Sequence, residues 1–364
     1  MSRDEHVAAG AGMATKIEPV EAMLIFRRCL VVGGVATLIA VLAARAAASA
    51  SPVSGSRPEC SATAFVTNTN SGSVSTIDVA SRTKTGRDIK VGESPSGVVI
   101  TPDGKTAFVA NLDSGSVSTI DVPSRAKYPT DISGVHPNGL AITPDGTTLF
   151  VTNIDRASVS TIDVASRSKD PIDIKVGIAP TEVTITPDGT TAFVTNDESN
   201  SVSTIDVASR TRTRPDIEVG KYPEGLAITP DGKAVFVANE GSNSVSTIDV
   251  SSRTKTGRDI KVGKGPTGVA ITPDGKTAFV TNMSSNSVSM IDVASRKARH
   301  EIEVGKDPWG LDVAPDGKTV LVAIQGNGSG TTVSTIDVAS RTKSRRDIRV
   351  GGAPEAVAIT PCRR

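Results

Sequence analysis

One short phrase, repeated seven times, restricts this chain more than anything else in it. Phe65-Val66-Thr67-Asn68 returns at Phe108, Phe150, Phe193, Phe236, Phe279 and, degraded, at Leu321, at intervals of 42 or 43 residues. A constant period means one supersecondary unit copied head to tail, each copy burying its apolar face on the next.

Within a unit the pattern is that of strands. Gly97-Val98-Val99-Ile100-Thr101 runs into Pro102-Asp103-Gly104, where proline presets the first turn position and glycine accepts positive φ. The return strand is Thr106 to Ala110. A polar turn leads to a third strand, Val117 to Val122, and a basic loop to a short fourth strand at Asp131-Ile132. No window shows a helical 3.6-residue period. Four-stranded units of this length predict an all-β, seven-bladed β-propeller over 62–364. The chain enters at a second strand and leaves on a first strand, Ala356 to Thr360. Ring closure is therefore expected from the C-terminal strand joining the N-terminal three.

The cysteines fit that closure. Cys60 lies five residues before Phe65, as Asp103 lies five before Phe108. Cys362 lies three after Ile359, as Asp103 lies three after Ile100. Both fall on one turn position where the chain is cut, and in an exported chain a Cys60–Cys362 disulfide is expected.

Export is read from the N-terminus. Arg27-Arg28 precedes an uncharged run from Cys29 to Ala44, then Ala48-Ser49-Ala50. This is the plan of a secretory signal, expected to span 1–50 and to be cleaved after Ala50, with a retained anchor as the competitor. Residues 51–61 read as a linker. Location is expected to be secreted or at the cell envelope. The chain carries 40 Lys+Arg against 39 Asp+Glu and only 3% aromatics, which gives no pull toward nucleic acid.

Phe65-Val66-Thr67-Asn68, Ser73-Val74-Ser75-Thr76-Ile77-Asp78 and Ile100-Thr101-Pro102-Asp103-Gly104 together resemble the YVTN β-propeller repeat family, with Phe for its initial Tyr. The resemblance covers roughly 62–361. It implies export and a binding or scaffold role, and no particular reaction.

Residues repeated in every unit are expected to hold the unit together. Asp78, Asp121, Asp163, Asp206, Asp249, Asp292 and Asp337 end every third strand and read as strand-end acceptors, as does the Asp of each Pro-Asp-Gly turn. Function is sought where units differ. The Gly-x-x-Pro loops should ring one channel mouth, and beside their prolines stand His136, Asn138, Glu182, Tyr222, Glu224, Asp307, Trp309 and Glu355. An aromatic anchor among converging polar groups is the default ligand site. The opposite rim collects Arg82, Arg125, Arg167, Arg210, Arg253, Arg296 and Arg341, a surface suited to an anionic cell-envelope polymer or a solubilising edge.

Catalytic machinery is not evident. No His pair or Cys-x-x-Cys offers a soft-metal site, and no Gly-x-Ser-x-Gly elbow occurs. Carboxylates such as Glu182 and Glu224 suit a hard cation such as calcium only if the fold brings them together. The expectation is a monomeric binding scaffold for a protein, polysaccharide or small molecule, with no cofactor, metal or nucleic acid. The alternative is a lactonase- or lyase-like enzyme using His136 and nearby acids at the mouth.

Overall fold

The computed structural model describes residues 61–362. Seven antiparallel sheets follow one another around a closed ring. Blade 1 holds the C-terminal inner strand Pro354–Ile359, the second strand Thr63–Asn68 and the third strand Ser73–Asp78. Blades 2 to 7 open with inner strands Pro95–Ile100, Pro137–Ile142, Pro180–Ile185, Pro223–Ile228, Pro266–Ile271 and Pro308–Val313.

The outer edge departs from a simple fourth strand. In five blades it is broken into two short pieces that both pair with the third strand, as Thr83–Lys84 and Ile89–Lys90 do in blade 1. Only Thr211–Glu218 and Lys297–Glu303 run through unbroken. His300 therefore lies in the outer strand of blade 6 opposite Met290. The broken edge leaves little flat backbone exposed for pairing with other chains.

The repeated phrase now has a physical meaning at each letter. Its aromatic residue is a joint between blades: Phe108 of blade 2 packs with Leu140, Leu149 and Val151 of blade 3. Phe65, Phe108, Phe150, Phe193, Phe236 and Phe279 are all fully buried. Each contributes roughly 1.5–3 kcal/mol of apolar burial. Thr67 donates its hydroxyl to the Ser96 carbonyl of the next blade (3.2 Å), and Thr152 does the same to Thr181 (2.9 Å). Asn111 donates to Ser116 and Ser118 on the third strand while its Oδ1 accepts from the Gly92 amide (3.1 Å). A Cβ on Gly92 would lie 2.7 Å from the Asn111 Cγ, so the loop needs glycine there, as it does at Gly177, Gly220, Gly263, Gly305 and Gly351 in five other blades.

The closure reproduces, across the cut, what the intact hairpins do within one chain. In blade 2 the Thr101 amide bonds the Thr106 carbonyl (2.8 Å) and the Thr101 hydroxyl accepts from the Thr106 amide (3.0 Å). In blade 1, Thr360 and Thr63 make the same two bonds, both 2.9 Å, from opposite ends of the propeller. Pro361 packs beneath Gly104 as Pro102 packs beneath Gly146. Cys362 follows at the position of Asp103. Cys60, like the expected signal and most of the linker, lies outside the described residues.

Candidate functional site

Every inner strand carries a bulge just after its opening proline, for example between Pro223 and Leu226. A bulge re-aims the side chains beside it. Here it turns the residues one to three places beyond the proline toward the axis, around a cavity of ≈ 200 Å³. The outermost tier of that lining is Ser96, Asn138, Thr181, Glu224, Thr267, Trp309 and Glu355, one residue from each blade. Below it lie glycines in five blades. Those glycines are required: a Cβ on Gly225 would stand 2.3 Å from the Thr267 carbonyl oxygen of the next blade.

Ala356 and Glu182 are the exceptions in the glycine tier, and of the two only Glu182 brings a charge. Its carboxylate folds back over Gly139 of blade 3 and accepts from the backbone amides of Val183 (3.1 Å) and Leu140. Glu355 accepts from the Thr69 hydroxyl (2.7 Å). No hydrogen bond reaches the carboxylate of Glu224 among the described residues. Loss of solvation in the channel raises all three, Glu182 and Glu355 to about 7 and Glu224 to about 8. Glu224 goes highest because Asp197, Glu240, Glu182 and Glu355 also surround it with negative charge. Among the described residues no lysine, arginine or histidine lines the cavity.

Comparison with known proteins agrees with this architecture. A family profile of YNCE-like β-propellers matches residues 22–361. The chain belongs to the YNCE-like β-propeller family. No curated protein matches it in sequence. Among solved structures, hydrazine synthase of Kuenenia stuttgartiensis superposes with a TM-score of 0.68 at 23% identity, over 76% of this chain and 92% of that one. A candidate 6-phosphogluconolactonase from Bacteroides fragilis gives 0.70 at 18% identity, over 84% and 99%. A protein of unknown function from Desulfotomaculum acetoxidans gives 0.70 at 14%, over 83% and 99%. At such identities the likeness is one of fold alone.

In this YNCE-like propeller the expected mouth residues divide into two groups. Asn138, Glu182, Glu224, Trp309 and Glu355 line the cavity; His136, Tyr222 and Asp307 do not. Those three precede their prolines and therefore the bulge. Tyr222 (φ 51) and Asp307 (φ 48) occupy a left-handed position on the upper rim that Ser94, Ala179, Gly265 and Ala353 share. His136 alone escapes that conformation, because its loop is one residue shorter. Its amide donates to the Asn153 Oδ1 (2.9 Å), and its ring lies 3.9 Å from the Asp155 carboxylate.

Two acids were missed in the sequence. Asp197 follows the second strand of blade 4. Its Oδ1 is buried without a hydrogen-bond partner, and burial together with Glu240 and Glu198 raises its pKa. Asp312 stands deeper on the inner strand of blade 7. It accepts from the amides of Val313 and Ile359 (both 2.8 Å), and desolvation raises it to about 7. The available signal was singularity: the corresponding positions are Val99, Ala141, Thr184, Ala227, Ala270 and Ala358.

The register places the basic rim at the opposite end, since each third strand ends there opposite the start of the second (Asp78 opposite Thr63). All seven arginines occupy left-handed turn positions, from φ 53 to φ 58. Several reach back onto the preceding blade. Arg210 pairs with Asp170, Arg82 donates to the Ser344 hydroxyl (2.8 Å), and Arg167 lies 4.2 Å over the Tyr128 ring. Lysines close by are paired too, as Lys84 with Asp88 (2.6 Å) and Lys343 with Asp347 (2.6 Å). Much of this charge is spent on joining blades and bracing their outer edges.

Proposed function

We propose that this protein is an extracytoplasmic binding propeller that holds a small ligand in the channel mouth, in preference to the basic rim. The observation that carries the reading is Glu224, a carboxylate inside a walled cavity with no hydrogen bond from the described residues. Three other blades add Trp309, Glu355 and Glu182. A half-buried carboxylate with no hydrogen-bond partner costs stability, and binding sites are where such costs recur. The rim serves this reading less well, since Arg82, Arg167 and Arg210 are already engaged with the preceding blade. Export and the finer likeness to YVTN repeats belong to the same proposal, supported by the N-terminal sequence pattern.

Trp309 is the only tryptophan, so its emission reports on the cavity. A thermal-shift screen of small metabolites should yield compounds that raise Tm by mass action, shift Trp309 emission and lose both effects in Glu224→Ala. Compounds that stabilise the variant equally and leave the emission unchanged would place binding elsewhere.

An enzymatic reading of lactonase type draws on the raised carboxyls, which suit proton transfer near neutrality. Against it, His136 stands outside the lining, and an all-acid mouth repels a phosphorylated lactone. His136→Ala and Glu182→Ala would abolish lactone hydrolysis if that reading held.

A further inference from the structure

We propose that the ligand of this channel is a small organic cation, such as a quaternary ammonium or guanidinium compound, with its charge beside Glu224 and its apolar part against Trp309. The assignment rests on the channel-mouth reading and narrows it to one chemistry.

Four observations converge. First, the lining offers acids and no base, so an anion would find no counter-charge in it. Second, one acceptor of the lining is without a partner. Glu224 has no hydrogen bond among the described residues, whereas Glu182 is held by two amides and Glu355 by the Thr69 hydroxyl. A bound cation would supply what Glu224 lacks.

Third, the cation is larger than a metal ion. Among the described residues no three His, Cys, Asp or Glu side chains converge closely enough to hold a metal. A guanidinium or substituted ammonium spreads its charge over several ångströms and fits carboxylates that stand apart. The cavity of ≈ 200 Å³ has room for roughly half a dozen water-sized atoms, and a longer tail can project through the open mouth. Fourth, Trp309 is the one aromatic side chain in the lining among the described residues. An indole face attracts a desolvated cation through its ring quadrupole.

Binding of this kind is linked to protons. The groups facing Glu224 are Asp197, Glu240, Glu182 and Glu355, all acids, with Thr267 and Trp309 uncharged beside them. At low pH these carboxyls hold protons that the cation must displace. Affinity therefore rises with pH until Glu224 is ionised without help, above about pH 8. A quaternary or guanidinium probe keeps its own charge throughout this range.

The test is calorimetric titration of the intact protein with choline and with agmatine at pH 6 and pH 9. The neutral isostere 3,3-dimethylbutan-1-ol serves as control. At least one cation should bind tenfold or more tightly at pH 9 than at pH 6, with the isostere failing to bind. Glu224→Gln should remove the pH dependence and most of the affinity without lowering Tm, and Trp309→Ala should weaken binding about fivefold or more. Equal binding of choline and its isostere, or full affinity in Glu224→Gln, overturns the assignment. Should neither cation bind while gluconolactone or citrate binds in a Trp309-dependent manner, the cation assignment falls and the mouth reading stands. Should none of these solutes bind, both fall.

Discussion

The two ends of the channel carry the same functional group and treat it in opposite ways. On the lower face, Asp78, Asp121, Asp163, Asp206 and Asp292 each accept from the hydroxyl and the amide of a serine three residues on, and those bonds hold them below the usual carboxylate range. The Pro-Asp-Gly aspartates do likewise: Asp103 takes the Thr101 hydroxyl (2.6 Å) and the Lys105 amide (3.0 Å) and is lowered by both. At the upper mouth Glu182, Glu224 and Glu355 are raised, because burial outweighs the few donors supplied to them. An acid that recurs in each blade is part of the joinery, whereas at the mouth burial outweighs whatever donors the fold supplies, none in the case of Glu224.

The lower-face half of that contrast supposes seven equivalent turns, and the severest trial falls on the seventh, where the chain is cut. There Cys362 occupies the place of the turn aspartate. We expect it to be bonded to Cys60 and to close a loop spanning the whole propeller, worth about 4–5 kcal/mol in the chain-entropy model. Cys362→Ser should lower the non-reducing Tm to that of the reduced wild type. If the variant melts with the oxidised wild type, and non-reducing peptide maps show no Cys60–Cys362 peptide, the Thr63–Thr360 pairing closes the ring alone.

Next in size is a mutation that should stabilise. Glu224 has a folded pKa above its unfolded one, so folding is favoured while the carboxyl stays protonated. That advantage is whole below about pH 4.5 and drains away as pH climbs toward about 8. Glu224→Gln keeps the shape and removes the charge. It should gain about 2–3 kcal/mol at pH 9, a figure reduced from the full linkage because solvent enters the channel, and gain nothing at pH 5. The lowered aspartates have the reverse sign: their contribution is complete above about pH 4 and is lost as pH falls below it. Wild-type Tm should thus be highest near pH 5, with its alkaline slope flattened in the variant. An unchanged slope would show that Glu224 is already solvated.

Asp78→Ala tests the joinery directly. It removes two bonds to Ser81, 2.7 Å to the amide and 2.6 Å to the hydroxyl, and should cost about 1 kcal/mol at pH 7. Urea midpoints at pH 7 and pH 3 should converge, since the aspartate is being protonated in the wild type as well.

Much of this was legible in the sequence, for a reason that also sets its limit. Register, ring size and closure are properties of a period, and a period is visible in one chain. The roles of Asp78 and Asp103 followed from their recurrence. What a bulge does to side-chain direction is not periodic information. It puts Trp309 into the cavity and leaves Asp307, two residues earlier, on the rim. Asp312 and Asp197 went unseen because they lie outside the Gly-x-x-Pro loops where variation was sought. The partners of Arg167 and Arg210 were hidden because they lie on the preceding blade, some forty residues back, and that of Arg82 because it lies across the ring closure.

Those arginines supply the smallest and most discriminating effect. A non-glycine residue in the left-handed region costs roughly 1–2 kcal/mol, so Arg210, at φ 55, is kept for what its side chain does. Arg210→Gly relieves the backbone and removes the pair with Asp170. An exposed pair is worth about 0–1 kcal/mol, so the two changes should cancel to within about 0.5 kcal/mol in urea denaturation at moderate salt. Raising the salt weakens the pair and leaves the backbone term untouched, so the variant should gain on the wild type as ionic strength increases. If the rim instead served to dock an anionic polymer, the same substitution would leave the salt dependence of stability alone. It would instead shorten retention on an anionic matrix, which separates a brace between blades from a surface for a partner.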